Sequence, residues 1–288
     1  MQGVLVLSYI ADSSAVKIDE RILPQHQSAI TILTTMLQNP NQNEIRWLDL
    51  ACGKGQIILH ISENISYKSI REKITYVGFD INYEYTRLAR RELVNKGLKF
   101  YEFHHGDLVD FPKIVPSDDR YDFITCTNTA HEIKPEVFSM LIIESLFRLT
   151  ESGILFIHDM ESLEPPELGA LTWHGDEVGL LLNVIFEVLG IDYRVYPNVW
   201  KHSNCNSWTV IIQRQFIKIE NEDIMIKLRE INERLYEKRK EILKKRLDNC
   251  NNELEDLSLN GTEKDERRKT YLTSEFWQIS REAGIRFY

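Results

Sequence analysis

The chain has 288 residues, 43% hydrophobic and 27% charged, enough for one full-sized core with an accessory region or for two small domains. Its formal net charge of -9 argues against extended, non-specific binding to a polyanion. No apolar run approaches the roughly 20 residues that span a bilayer. The early stretch Val4 to Ile10 lacks the basic flank and length of a secretory signal. Cys52, Cys126, Cys205 and Cys250 form no Cys-x-x-Cys pair, so neither a zinc ribbon nor a disulfide framework is indicated. A soluble, cytoplasmic protein with free thiols is expected.

In chain order, a helix-like stretch from Gln25 to Leu37 ends at the turn signal Asn39-Pro40-Asn41. Alternation then sets in. Ile45 to Leu50 reads as a strand, Gln56 to Ile65 as a helix, Thr75 to Asp80 as a strand, Tyr83 to Lys96 as a helix and Phe100 to His104 as a strand. Tyr121 to Thr125 is a fourth strand, Glu136 to Leu149 a helix, and Gly153 to His158 a fifth strand. Such alternation builds a mainly parallel sheet covered on both faces. After a Pro-rich stretch from Glu161 to Glu167 come a helix, Asp176 to Leu189, and two strand-like runs, Tyr193 to Trp200 and Trp208 to Gln213, joined as a hairpin.

From Glu220 to about Glu255 the sequence turns charged, with Ile224, Leu228, Ile231, Leu235 and Ile242 on one helical face. Lys238 and Lys245 fall on the seam, so the heptad is too short for a coiled coil and a helix packed back on the core is expected. Lys227 to Arg246 holds nine Lys or Arg against four Asp or Glu, the one clearly basic stretch. Ser258-Leu259-Asn260-Gly261 breaks the helix. The final segment, Thr273 to Tyr288, is too apolar for a free tail.

The loop Asp49-Leu50-Ala51-Cys52-Gly53-Lys54-Gly55 follows a strand and opens a helix, the context in which glycines let a backbone approach a nucleotide. Asp49 ends the strand, where it can accept from a ligand ammonium or orient the loop. Position 58 is Ile where a dinucleotide fingerprint needs Gly or Ala, and the Walker spacing is absent, which disfavours NAD, FAD and a P-loop.

The run Trp47 to Gly55 resembles the first motif of class I S-adenosylmethionine-dependent methyltransferases, with Ala51 where that motif usually has glycine. Tyr76-Val77-Gly78-Phe79-Asp80, His105-Gly106-Asp107-Leu108, Tyr121 to Asn128 and Leu149 to Leu155 resemble the later motifs, in order, over about Ile45 to Arg214. The resemblance implies a Rossmann-like, doubly wound, mainly parallel seven-stranded sheet with an antiparallel last strand, plus a helical C-terminal extension. It implies S-adenosyl-L-methionine as cofactor, contacted by Asp49, Ala51, Cys52, Gly53 and Gly55, by Asp80 at the ribose, by Asp107 at the adenine amino group, by the neighbouring Ile81 and Leu108, and by Asn128 near the methionine half. An ionised Asp80 can accept two hydrogen bonds from a cis-diol.

Methyl transfer needs an aligned nucleophile, excluded water and, for a protonated nucleophile, a base. No metal is expected. His131 and Glu132 after the fourth strand are the first candidates for proton removal, and His158, paired with Asp159 at the end of the fifth, is the second. Trp173 and His174, and Asp19, Glu20 and His26 in the lead-in, read as packing or solvated surface. His104 and His105 point to opposite faces of a strand and cannot easily ligate one ion. Asn128-Thr129-Ala130-His131 replaces the Pro-Pro motif of enzymes that methylate exocyclic base amines. A small-molecule or protein acceptor is therefore expected. Two alternatives stay open: an RNA methyltransferase, cap guanine-N7-like or other, using Lys227–Arg246, and a catalytically inactive binding module. The predicted division is a lead-in or lid at 1–44, a methyltransferase domain at 45–214 and a helical extension at 215–288 that offers a surface for self-association.

Overall fold

A computed structural model of the protein describes residues 24–40, 42–64, 72–162, 170–201, 206–218, 224–262 and 265–284. Among them seven strands form one sheet: β1 (Ile45–Leu50), β2 (Ile74–Asp80), β3 (Tyr101–His105), β4 (Tyr121–Thr127), β5 (Leu149–Met160), β6 (Asn198–Lys201) and β7 (Asn206–Gln213). The helices are α1 (Pro24–Gln38), α2 (Gln56–Asn64), α3 (Tyr83–Asn95), α4 (Phe111–Ile114), α5 (Pro135–Arg148), α6 (Gly175–Leu189), α7 (Ile224–Asn260) and α8 (Glu266–Glu282). The sheet order is β3-β2-β1-β4-β5-β7-β6. Strands β1 to β5 pair in parallel, and β7 runs antiparallel between β5 and β6. The fold is the Rossmann-like one that the strand–helix alternation predicts.

The central strands are apolar on both faces because both are covered. Trp47 and Tyr76 join Phe123, Phe156, Leu33 of α1, Ile58 of α2 and Leu93 of α3 in one core layer. Their strand neighbours Leu48 and Val77 belong to the other layer, with Ile124 and Leu155, Leu141 and Ile142 of α5, Leu182 and Ile185 of α6, Ile231 and Leu243 of α7 and Ile279 of α8. Each large aliphatic side chain withdrawn from water contributes roughly 1.5–3 kcal/mol. The apolar face of α7 is thus occupied within the chain.

Several boundaries differ from the sequence reading, each for a local reason. The strand expected from Tyr193 begins only at Asn198, after Pro197, which has no N–H for a ladder. Upstream, the Val195 N–H donates to the Asn183 side chain of α6 at 3.0 Å. The strand expected from Gly153 begins already at Leu149, with an irregularity inside β5 where the register jumps from Tyr121↔Leu149 to Phe123↔Ile154. A side chain at Gly153 would meet the Tyr121 carbonyl oxygen at 2.9 Å. The final segment begins earlier, as α8 from Glu266, and α7 continues through Ser258 to Asn260.

Candidate active site

β1 delivers the chain to the carboxyl edge of the sheet between β1 and β4, where the strand order reverses. Open α/β sheets bind ligands at that crevice. The turn that follows is left-handed at Ala51 (φ 55°), Gly53 (φ 53°) and Gly55 (φ 71°). Glycine adopts this backbone without steric cost. At Gly55 a side chain would in addition press on Ala89, whose Cβ lies 3.2 Å from the position a Cβ would take. Ala51 is a strained residue of the kind that gathers at functional sites.

Two carboxylates organise this turn. Asp80, at the end of β2, accepts the Gly53 N–H on Oδ2 and the Asn82 N–H on Oδ1, both at 2.7 Å. Burial raises its pKa, opposed by the backbone hydrogen bonds from Asn82 and Gly53. Asp49 is 2% exposed. It accepts Thr125 Oγ1–H on Oδ1 at 2.6 Å and Tyr76 O–H on Oδ2 at 2.8 Å, while Trp47 Nε1–H donates to Thr125 Oγ1 at 2.8 Å. Burial pushes its pKa up to about 6, against the lowering effect of the two hydroxyls and with a smaller raising contribution from Asp80. The Cys52 thiol is pushed well up by burial and by both carboxylates, so it stays protonated. Cys52, Cys126 and Cys250 are free thiols, and Cys205 lies outside the described residues.

A cavity of about 780 Å³ opens over these strand ends. One wall carries Asp49, Ala51, Cys52, Gly53, Asp80, Ile81, Asp107 and Leu108, and the other Asn128, Thr129, Glu132 and Ile133. Ile81 is 63% exposed. Asp107 caps a single 3-10 turn, accepting the Val109 N–H on Oδ1 at 3.0 Å. Asn128 is left-handed (φ 53°), and its N–H donates to the His158 carbonyl at 2.8 Å, which binds the end of β4 to β5. The charged lining is four acidic groups, Asp49, Asp80, Asp107 and Glu132, against Lys54 and Lys134.

Behind the second wall, His131 meets Asp159 rather than His158 doing so. His131 Nδ1 lies 2.7 Å from Asp159 Oδ1, and the His131 backbone N–H donates to Asp159 Oδ2 at 2.9 Å. His131 Nε2 lies 3.7 Å from Glu132 Oε1. His158 instead faces β7, with Nδ1 at 2.8 Å from Thr209 Oγ1. Of the residues singled out from sequence, Gly55, His131 and His158 do not line the cavity; Gly55 sits where the turn enters α2.

Trp173 is buried, with its carbonyl accepting Trp208 Nε1–H at 2.9 Å, whereas His174 is exposed at the start of α6. His26 falls on α1, while Asp19 and Glu20 lie outside the described residues. His104 Nε2 is 3.3 Å from Glu102 Oε1, and His105 Nδ1 is 3.3 Å from the Asp80 carbonyl. Among the described residues no group of three potential metal ligands converges and no helix is long and apolar enough to cross a membrane. Sequence reasoning passed over Tyr85, on the first turn of α3, whose ring lies 5.1 Å from Lys54 Nζ at the cavity. Its place five residues after Asp80 was the available signal.

Residues 41–178 match the family model described as Methyltransferase domain. No curated protein sequence is a match. Among solved structures, the DszA carbon methyltransferase aligns with a TM-score of 0.52 at 16% identity, over 67% of this chain and 54% of that one. The CurJ carbon methyltransferase aligns at 0.50 and 14%, over 66% and 54%. This chain therefore spans about half the length of those two proteins. Magnesium protoporphyrin IX methyltransferase from Synechocystis PCC 6803, solved with bound SAM, aligns at 0.45 and 14%, over 66% and 80%. Over residues 41–178, just under half of the chain, the protein is thus similar to the family described as Methyltransferase domain, and its fold is shared with the two carbon methyltransferases.

Proposed function

We propose that the cavity holds S-adenosylmethionine against β1 and β2 and a small-molecule or protein acceptor against the wall after β4. The observation that carries this reading is the 780 Å³ crevice at the reversal of strand order, with acceptor groups of Asp80 and Asp107 on one side and Glu132 on the other. The donor set fits the cofactor. Asp80 uses one lone pair on each oxygen for Gly53 and Asn82 and keeps capacity for two ribose hydroxyls. Ala51, Cys52 and Gly53 present backbone, Ile81 and Leu108 present apolar surface to the purine, and Asp107 accepts from its amino group. Asn128 borders the methionine half. Asp49, with both oxygens engaged by Tyr76 and Thr125, holds the loop in place, and Gly55 starts α2.

When bound, the cofactor's sulfonium supplies an activated methyl group. On the acceptor side, Glu132 lines the cavity with His131 behind it, and these two remove the acceptor's proton. His158, turned to Thr209, anchors β5 to β7.

An RNA acceptor is disfavoured by the state of the basic stretch. Arg229, Arg234, Lys238, Arg239 and Arg246 are in ion pairs with Glu233, Glu187, Glu241, Glu282 and Glu177. The charged groups that line the cavity are mainly acidic, and they repel phosphates. The test is transfer of labelled methyl groups from S-adenosylmethionine to cell-extract fractions, separated into small molecules, protein and RNA. Label in either of the first two, lost with His131→Ala, is expected. Label confined to RNA, with transfer abolished by salt and by reversing Lys238, Arg239 and Lys240, would overturn the acceptor assignment.

A further inference from the structure

We infer that Asp159, His131 and Glu132 form a proton-accepting chain leading out to the cavity, and that the acceptor is a nucleophile bearing a dissociable proton. An O–H, S–H or acidic C–H group qualifies; a thioether or a pyridine-type ring nitrogen does not. This rests on the methyltransferase reading above and deepens it.

The three groups run from the interior to the cavity wall. The side chains of Asp159 and His131 are 1% and 3% exposed, and that of Glu132 is 47% exposed. Asp159 receives the backbone N–H of His131 on Oδ2 (2.9 Å) and that of Met160 on Oδ1 (2.7 Å). With a donor already on each oxygen it acts as an acceptor towards the ring, which places the His131 ring proton on Nδ1. The two bonds from one residue, through N and through Nδ1, also fix the rotation of the imidazole. Nε2 is then the basic end, and it faces Glu132 at 3.7 Å. Asp159 touches neither cavity nor acceptor and is a positioning residue. A buried carboxylate is costly unless paired, and a pair that serves packing alone is often replaceable by apolar groups at no loss. Here the imidazole joins the buried carboxylate to one on the cavity wall.

In the transfer, the acceptor atom forms its bond to the methyl carbon while the carbon–sulfur bond breaks with its electron pair left on sulfur. The acceptor's proton goes to Glu132 Oε1 and on to His131 Nε2, restoring the Glu132 carboxylate. The sulfonium charge is lost, one proton is gained by the imidazole, and charge balances. The resulting imidazolium lies between two carboxylates, which stabilise it. Apo hydrogen bonds of catalytic groups are often long and tighten on binding. A thioether or a pyridine-type ring nitrogen releases no proton and leaves such a chain idle.

The experiment follows the His131 ring by 15N spectroscopy in the cofactor-loaded protein, in wild type, Asp159→Asn and Glu132→Gln, beside calorimetric binding of S-adenosylmethionine. Wild type is expected to carry its neutral-state proton on Nδ1. Glu132→Gln, an exposed and conservative change, is expected to lower the midpoint of the ring's titration by about 0.7 pH unit or more. Asp159→Asn lowers it too, and both variants keep cofactor affinity. With matched probes, a phenol against its methyl ether and a thiol against its thioether, only the proton-bearing member takes label, at least about 100-fold more slowly in either variant. A ring protonated on Nε2, a midpoint unmoved by Glu132→Gln, or labelling of pyridine or a thioether at wild-type rate in Asp159→Asn would overturn the proposal. Failure of wild type to bind S-adenosylmethionine would instead overturn the methyltransferase reading on which it rests.

Discussion

The Gly53 N–H donates to Asp80 Oδ2 at 2.7 Å, so the end of β2 holds the turn that leaves β1. One carboxylate thus shapes the glycine loop and stands at the cavity. Asp80→Asn leaves one of the Gly53 and Asn82 N–H groups facing an amide N–H instead of an oxygen. A loss of about 1–3 kcal/mol is expected, with faster hydrogen exchange at Gly53. Unchanged stability and exchange would show that the loop stands without this contact.

Ala51 holds φ 55°, a region that costs a non-glycine residue about 1–2 kcal/mol. Glycine relieves this but loses more entropy on folding, by about 0.5–1 kcal/mol. Ala51→Gly is therefore expected to stabilise the protein by about 0.5 kcal/mol, read as a higher urea midpoint. A lower midpoint would contradict the strain assigned to this residue.

Asp49 gives stability a pH dependence. Burial raises its pKa from the ordinary 3.8 to about 6. The folded protein therefore holds this proton more tightly than the unfolded chain. The contribution is complete below pH 3.8 and is lost as pH rises to about 6, an effect on the order of 3 kcal/mol. Urea titrations at pH 4 and pH 6.5 are expected to show this decline in wild type and a correspondingly smaller one in Asp49→Asn. Equal declines in both proteins would contradict the assignment.

Arg246 of α7 donates to the Thr172 carbonyl at 2.7 Å and pairs with Glu177 at 3.4 Å and with Glu275, binding both C-terminal helices to the segment before α6. It is 7% exposed. Arg246→Met leaves two carboxylates without their cation and is expected to cost about 3–5 kcal/mol. Adding Glu177→Gln and Glu275→Gln is expected to recover part of that loss. A cost below about 1 kcal/mol for the single change would show the network to be dispensable.

The places of the glycine loop, Asp80 and Asp107 at the cavity were legible in sequence because each is a turn, a strand end or a cap recognisable from its own immediate neighbours. The parallel pairing of β1 to β5 followed from the alternation of strands and helices. The pairing of His131 with Asp159 was not legible, since the partners are 28 residues apart and meet only through the pairing of β4 with β5. Adjacency suggested His158 and Asp159 as a pair. Successive strand residues point to opposite faces, however, which sends His158 to Thr209 and Asp159 to His131. The ion pairs of the basic stretch were not legible either, because its partners Glu177, Glu187 and Glu282 lie on α6 and α8, far from it in sequence.

Calorimetric titration of S-adenosylmethionine into wild type and Asp80→Ala tests the central claim most directly. Wild type is expected to bind a single equivalent, and Asp80→Ala to bind at least about tenfold more weakly, a loss of about 1.4 kcal/mol or more. Saturable binding of equal strength in the two proteins, or none in wild type, would contradict the site described at the ends of β1, β2 and β4.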